Sequence, residues 1–295
     1  MNKKTGWADL GLLTVAVIWG MGFSATQYAI DSGLSSALIL LMRFGVAALA
    51  MGALCYKRVR VCSAKEIFSG ALSGLFLFLG FFFQTEGQGQ TTPSNCALIT
   101  TTNVLMVPFI IWAVTRRRPG IKNLVLPLLT AAGLVILGYD PRAGMKFGMG
   151  DLLVLIGAFF FACHIASLEF TSRRVEACKL TFLQMITATA LALIYYLFAD
   201  RSPVTMNMMR TGSLPVLYLG LFSTCACFFL QTASQKVASA AKAAIFLSME
   251  GVFGSLFSVL LGLEPMKWTL AVGGGLIFLS AVLTEIHLPK RRIKA

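Results

Sequence analysis

The chain has 295 residues, of which 13% are charged and 57% hydrophobic, with a formal net charge of +13. Soluble domains average about one quarter charged residues, so this inventory cannot clothe a water-facing shell and excludes an ordinary soluble globular protein. The positive balance does not call for nucleic acid, because the basic residues fall in short clusters between apolar blocks, where they act as topology signals beside anionic lipid.

The blocks themselves are about as long as a helix needs to cross a hydrocarbon layer. They predict an all-α integral membrane protein with ten transmembrane helices at 10–29, 36–55, 67–85, 94–114, 123–139, 151–170, 180–198, 213–232, 242–261 and 268–286. The first block is not read as a cleaved leader, since similar blocks follow along the whole chain. Turn residues punctuate them: Asp31-Ser32-Gly33, Arg118-Pro119-Gly120, Asp140-Pro141, Asp200-Arg201-Ser202-Pro203 and Glu264-Pro265. Nineteen Lys and Arg fall on one set of alternate connections and termini, among them Lys57, Arg58, Arg116, Arg117, Arg173 and Lys290. Five fall on the other: Arg142, Lys146, Arg201, Arg210 and Lys267. Basic residues are retained on the cytoplasmic side, which places both termini inside and favours an even number of spans.

An internal repeat is visible at an offset of 147 residues. Phe82-Phe83-Gln84-Thr85-Glu86-Gly87-Gln88 recurs as Phe229-Leu230-Gln231-Thr232-Ala233-Ser234-Gln235, with four of seven positions identical. At that offset Ala97 falls on Ala244 and Asn103 on Glu250, and Asp9 and Asp151 each open an apolar run. Two repeats, 1–145 and 146–295, each hold five spans. An odd number of spans turns the second copy upside down, an arrangement that lets one midplane site face either side in turn.

Polar groups inside the blocks are the candidate path, since a charge at the bilayer centre costs about 3 kcal/mol even on the mild insertion scale. Glu250 lies ninth in a twenty-residue block, and Asn103 tenth in its own. Together they are expected to face a solute between the halves, with interhelical locking as the alternative. Glu250 is also the candidate carrier of a driving proton. Arg43 stands deep in the second block as a charge partner for Glu250 or for an anionic solute, with snorkelling or a helix carbonyl as the alternatives. His164 is read either as a titrating path residue or as a donor to a neighbouring Thr or Ser. Gln84 and Gln231 are placed on the path or at the contact between halves. Trp19 is expected on a stacking wall and Tyr28 in the interfacial aromatic belt.

The remaining polar residues read as structural. Asp9 and Asp151 suit helix N-termini, Glu169 and Glu176 suit salt bridges with Arg173 and Arg174, and Pro108 suits a kink that marks a gate. Glycines at 20, 22, 70, 74 and 273–275 suit close helix approach. Seven cysteines form no paired framework, and Cys225 and Cys227 point about 200° apart on a helix, which excludes a metal clamp. No HExxH, GxSxG or phosphate-loop pattern is present, so no enzyme and no cofactor is expected.

Several stretches resemble the drug/metabolite transporter superfamily, in the group with two EamA-type domains. They are Ala16-Val17-Ile18-Trp19-Gly20-Met21-Gly22-Phe23, Arg43-Phe44, Asn95-Cys96-Ala97-Leu98-Ile99 leading to Pro108, and Gly150-Asp151-Leu152-Leu153. In the second half they run from Tyr218 to Thr224, through Phe229-Leu230-Gln231-Thr232, to Ala244-Ile245-Phe246-Leu247-Ser248-Met249-Glu250. The resemblance implies ten helices, cytoplasmic termini and a central cavity lined by helices one, three, four, six, eight and nine. It also implies a carrier of amino acids, nucleobase-like metabolites, sugar-related compounds or toxic cations. Two positions depart from the pattern: Glu250-Gly251 stands where Glu-Pro is usual, so the local bend is expected from glycine, and Phe161 stands where Trp is often found.

The sequence therefore reads as a multi-pass carrier of the bacterial inner membrane, working as a monomer or homodimer. It is expected to export an amino acid or similar small molecule, with proton coupling as a further expectation. Trp19, Gln84, Asn103, His164, Gln231 and Glu250 are the expected path residues. The competing readings are efflux of hydrophobic drugs or cations, a non-transporting scaffold with a sealed centre, and, least supported, an embedded headgroup-transferring enzyme.

Overall fold

The computed structural model describes residues 3–139, 147–199, 204–262, 266 and 268–285. The turn signals Asp140-Pro141, Asp200-Arg201-Ser202-Pro203 and Glu264-Pro265 lie outside the described residues. So do the basic residues Arg142, Lys146, Arg201, Lys267 and Lys290 to Lys294, together with His287.

Among the described residues the chain is helical throughout. The N-terminal half contains α1 (Lys3–Asp31), α2 (Ser36–Leu54), the short α3 (Tyr56–Val59), α4 (Ala64–Gln88), α5 (Pro93–Thr101), α6 (Asn103–Thr115) and α7 (Lys122–Leu137). The C-terminal half contains α8 (Met149–Thr171), α9 (Ala177–Ala199) and α10 (Met206–Tyr218), followed by a π-helical turn (Leu219–Ala226). It closes with α11 (Cys227–Ser234), α12 (Ala240–Leu247), α13 (Met249–Leu260) and α14 (Trp268–Glu285). Taken as continuous rods, eight stretches are long and apolar enough to cross a membrane, and Lys122–Leu137 and Trp268–Leu283 are shorter apolar helices. The chain is a multi-pass membrane protein.

Local chemistry sets the starts. Ser35 accepts from the Leu38 amide, and Ser63 and Glu66 form a reciprocal capping box. Thr92 caps α5 just before Pro93, whose missing N–H costs nothing at that position, and Ser239 caps α12 in the same manner. Asp151 accepts from the Gly148 amide at 2.9 Å in the first turn of α8, as a helix N-terminus favours.

Two blocks read as single helices are broken instead. The fourth parts at Thr102 and the ninth at Ser248, each holding near-helical angles with ψ of -12° and -16°. Both hydroxyls donate backwards by three residues, Thr102 to the Ile99 carbonyl and Ser248 to the Ile245 carbonyl, each at 2.6 Å. That back-bond takes a carbonyl from the regular ladder and bends the helix. A hydroxyl back-bond accompanies each break, although Ser167 makes the same bond to the His164 carbonyl inside an unbroken α8. Pro108 lies inside α6 six residues after the first break, and the Gly251 amide donates to the Ser248 carbonyl at 3.3 Å within the second.

Other expectations are corrected as well. Asp9 is not at a helix start, because α1 already begins at Lys3; its carboxylate meets the Lys242 ammonium at 2.6 Å. Glu169 pairs with Arg173 at 2.7 Å and also accepts from the Ala240 amide, but Glu176 reaches across to Arg58 rather than to its sequence neighbours. The Arg58 guanidinium is held above its usual pKa by that carboxylate.

In lipid the hydrophobic effect does not hold helices together, so packing and hydrogen bonds must. α4 and α8 cross on glycines. A Cβ on Gly87 would lie 2.5 Å from the Gly150 carbonyl oxygen, and one on Gly157 would lie 2.8 Å from the Gly80 carbonyl oxygen. α7 and α14 approach in the same way at Gly133 and Gly273, where Thr130 and Ser280 also share a 2.9 Å hydrogen bond. Elsewhere the outer surface is apolar: Leu49, Phe68, Val135 and Phe198 are 70–83% exposed, which suits lipid and not water. Two apolar clusters fill the interior, one around Leu12, Val107, Ala244 and Ile277 and the other around Phe44, Leu77, Met185 and Phe228, and Trp19 packs against both.

Candidate functional site

Between these clusters lies a cavity of about 490 Å³ of empty space, mouth included. It is lined by α1, α2, α4, the α5–α6 break, α8, the π turn, α11 and α13. All six path residues expected from the sequence, Trp19, Gln84, Asn103, His164, Gln231 and Glu250, line it, and so does Arg43. The resemblance implied six of the lining spans; Arg43 adds the second.

The two helix breaks deliver the central polar pair. Asn103 is the first residue of α6, and Glu250 the second of α13. Both side chains are 5% exposed. Neither has a hydrogen-bond or ion-pair partner among the described residues that accounts for its acceptor oxygens; Asn103 Oδ1 is buried and unpartnered. A buried amide oxygen without a donor costs about 1–3 kcal/mol, a cost that a donor entering the cavity would offset. Gln231 repeats this state. Its Nε2 donates to Gln235 Oε1 at 3.1 Å, while its own Oε1 has no partner.

Other members are tied down and act as wall. Trp19 Nε1 donates to the Ser223 carbonyl at 2.7 Å, and the indole packs on Phe228 at 5.1 Å between ring centroids. Gln84 Nε2 donates to Thr100 Oγ1 at 2.9 Å. Both partners lie in the N-terminal half, so Gln84 does not steady a contact between halves, and neither does Gln231, whose partner sits one turn along. His164 bonds Gln184 Oε1 on α9 at 2.7 Å, not a Thr or Ser, and presents a ring edge to Phe228. Tyr28 is not part of the cavity and is 47% exposed.

Sequence reading missed the π turn. Here Ser223 and Thr224, adjacent in the chain, converge on Arg43: Nε donates to Thr224 Oγ1 at 2.8 Å and Nη2 to Ser223 Oγ at 3.1 Å. π turns occur often at functional sites because the widened turn re-aims side chains. The only advance signal was a Ser-Thr pair within an apolar block. Phe81 was missed too; its ring lies 3.8 Å from the Arg43 guanidinium carbon. The phenylalanines 23, 81, 161 and 228 complete an aromatic wall.

A second regularity recurs in each half. Gln88 Nε2 donates to the Phe23 carbonyl at 2.7 Å, and Gln235 Nε2, at the repeat offset, donates to the Ile165 carbonyl at 3.0 Å. Each glutamine thus binds the mid-helix backbone of the first long helix in its own half, α1 or α8.

Comparison with known proteins agrees with this architecture. The chain is 31% identical over 286 residues to an uncharacterized transporter of Archaeoglobus fulgidus, covering 97% of this chain and 88% of that one. A crystal structure of a protein 18% identical in sequence superposes with a TM-score of 0.76 over 94% of this chain and 96% of that one, showing a shared fold. Residues 6–139 and 148–286 each match the EamA-like transporter family. On this evidence the chain belongs to the EamA-like transporter family and is a membrane transporter rather than an enzyme.

Proposed function

We propose that the protein exports an amino acid or a related small metabolite by alternating access, using the cavity between its halves. The observation that carries this reading is that the cavity lining brings together one carboxylate, Glu250, and two amides whose oxygens are buried without a partner, Asn103 Oδ1 and Gln231 Oε1. A solute bearing an ammonium group supplies the donors that these groups lack. The aromatic residues of the lining offer stacking and apolar contact for a side chain.

In this reading residues 1–145 and 146–295 are two five-span repeats of opposite orientation, with α7 and α14 as the fifth and tenth spans. Both termini face the cytoplasm of a bacterial cell, and the protein acts as a monomer or homodimer. The paired breaks at Thr102 and Ser248, with identical back-bonds, support the repeat. Glu250 is the proposed carrier of a coupled proton, since it is the acid on the path that has no cationic partner among the described residues.

Efflux of hydrophobic cations is the second reading, favoured by the phenylalanines of the wall. Counterflow in proteoliposomes separates the two. The proposal expects exchange of one or a few amino acids and none of structurally unrelated cations. It expects Glu250→Gln to abolish net proton-driven flux while leaving folded protein intact. Broad cation exchange, or a Glu250→Gln variant with unchanged pH optimum and electrogenicity, contradicts it.

A further inference from the structure

Arg43 is 3% exposed in the interior of a membrane helix, yet its hydrogen-bond partners are two neutral hydroxyls and its ring neighbour is Phe81. No carboxylate pairs with it among the described residues. A buried cation normally keeps a counter-ion, because desolvation is otherwise uncompensated. The guanidinium is nonetheless held firmly. Thr224 fixes Nε, Ser223 fixes one N–H of Nη2, and the Phe81 face supports the plane. Of five N–H donors, three remain without a described partner, including both on Nη1, and the residue stands on the cavity wall.

We propose that Arg43 is the group with which this cavity recognises a carboxylate on its solute. The assignment rests on the cavity being the solute site. A planar guanidinium with fixed orientation and free N–H groups matches a carboxylate as a fork, which is the geometry that gives bidentate binding its selectivity. Elsewhere the lining holds the Glu250 carboxylate, together with Asn103 and Gln231, whose amide oxygens have no described donor. The lining thus holds one cation with free N–H donors and one carboxylate. A zwitterion satisfies both, whereas a simple amine or hydrophobic cation leaves Arg43 unpaired and adds a like charge. The π turn is the element that makes this possible, since it brings two consecutive hydroxyls to one guanidinium.

The test uses full-length protein purified in detergent and read by ligand-induced thermal stabilisation. The probes are the twenty L-amino acids, each beside its methyl ester, with 2-phenylethylamine and tetraphenylphosphonium as cations. The proposal expects at least one free amino acid to bind about ten- to a hundredfold more tightly than its ester, the range of a charged hydrogen-bond pair. In Arg43→Gln, acid and ester bind equally. Arg43→Lys keeps part of the preference. If Arg43→Gln fails to fold, Thr224→Val, which removes one positioning acceptor at constant shape, is expected to reduce the preference at normal yield.

A purely structural Arg43 gives variants of lower melting temperature whose acid-over-ester preference is unchanged, and that result overturns the proposal. Wild-type protein that binds esters or cations as well as acids, or none of the amino acids, overturns it also. Those outcomes leave the transport reading standing if counterflow with another solute is seen. Absence of counterflow with every solute defeats that reading instead.

Discussion

Replacing Gly87 by alanine should separate α4 from α8 without touching the cavity. The added Cβ would sit 2.5 Å from the Gly150 carbonyl oxygen, 2.7 Å from Val154 Cγ2 and 2.9 Å from the Val154 amide nitrogen. Two of these atoms are backbone and cannot swing away. Ordinary contact begins near 3.4 Å, so the crossing must open by roughly 0.9 Å. Overpacking of this kind costs about 1–3 kcal/mol, and rigid neighbours place it near the upper end. Alanine returns about 1 kcal/mol of helix propensity, leaving a net loss of about 2 kcal/mol. A change of that size lowers the melting temperature by about 4–8 °C for a chain of a few hundred residues. The assay is the monodisperse fraction on size-exclusion chromatography after heating in detergent. Gly45→Ala is the control, because nothing lies within 4 Å of its added carbon; it should melt at or above the wild-type temperature. A Gly87→Ala protein as stable as wild type refutes the claim that glycine contact sets this crossing.

Removing one partner of the half-buried Asp9–Lys242 pair, as in Asp9→Asn, should cost about 3 kcal/mol, while Asp9→Asn with Lys242→Met together should recover much of it; equal melting temperatures for the single and double variants contradict this. Trp19→Phe loses the bond to the Ser223 carbonyl and should cost about 0.5–1.5 kcal/mol, the net worth of one hydrogen bond, and an unchanged melting curve argues against that bond. Gln231→Leu removes an unsatisfied oxygen and its bond to Gln235. It should leave stability within about 1 kcal/mol while reducing counterflow at least about tenfold, a rate loss equivalent to roughly 1.4 kcal/mol; full counterflow activity places Gln231 off the path.

How much of this was legible in the chain depended on the period of the signal. Helical blocks were readable because twenty apolar residues in lipid admit few alternatives. Depth in a block was also informative, because a polar or ionisable group there must find a cavity or partner; hence Glu250, Asn103 and Arg43 were found. The breaks at Thr102 and Ser248 escaped because a hydroxyl within an apolar block leaves no mark that separates a broken turn from a regular one. Long-range pairs such as Asp9 with Lys242, Glu176 with Arg58 and His164 with Gln184 escaped for a related reason. Sequence neighbours were the only partners that one chain could suggest, while the actual partners lie across a helix crossing. The π turn had no periodic signature, since a single widened turn barely shifts the apolar pattern around it.

The central claim is that the cavity beside Asn103 opens to each side of the membrane in turn. Asn103→Cys in an otherwise cysteine-free background, sealed in vesicles of known orientation, measures this through its rate of modification by a membrane-impermeant thiol reagent. The account predicts modification from either face, slowed from both by a transported amino acid. Modification from one face only, or no protection by any solute that the vesicles take up, would contradict it.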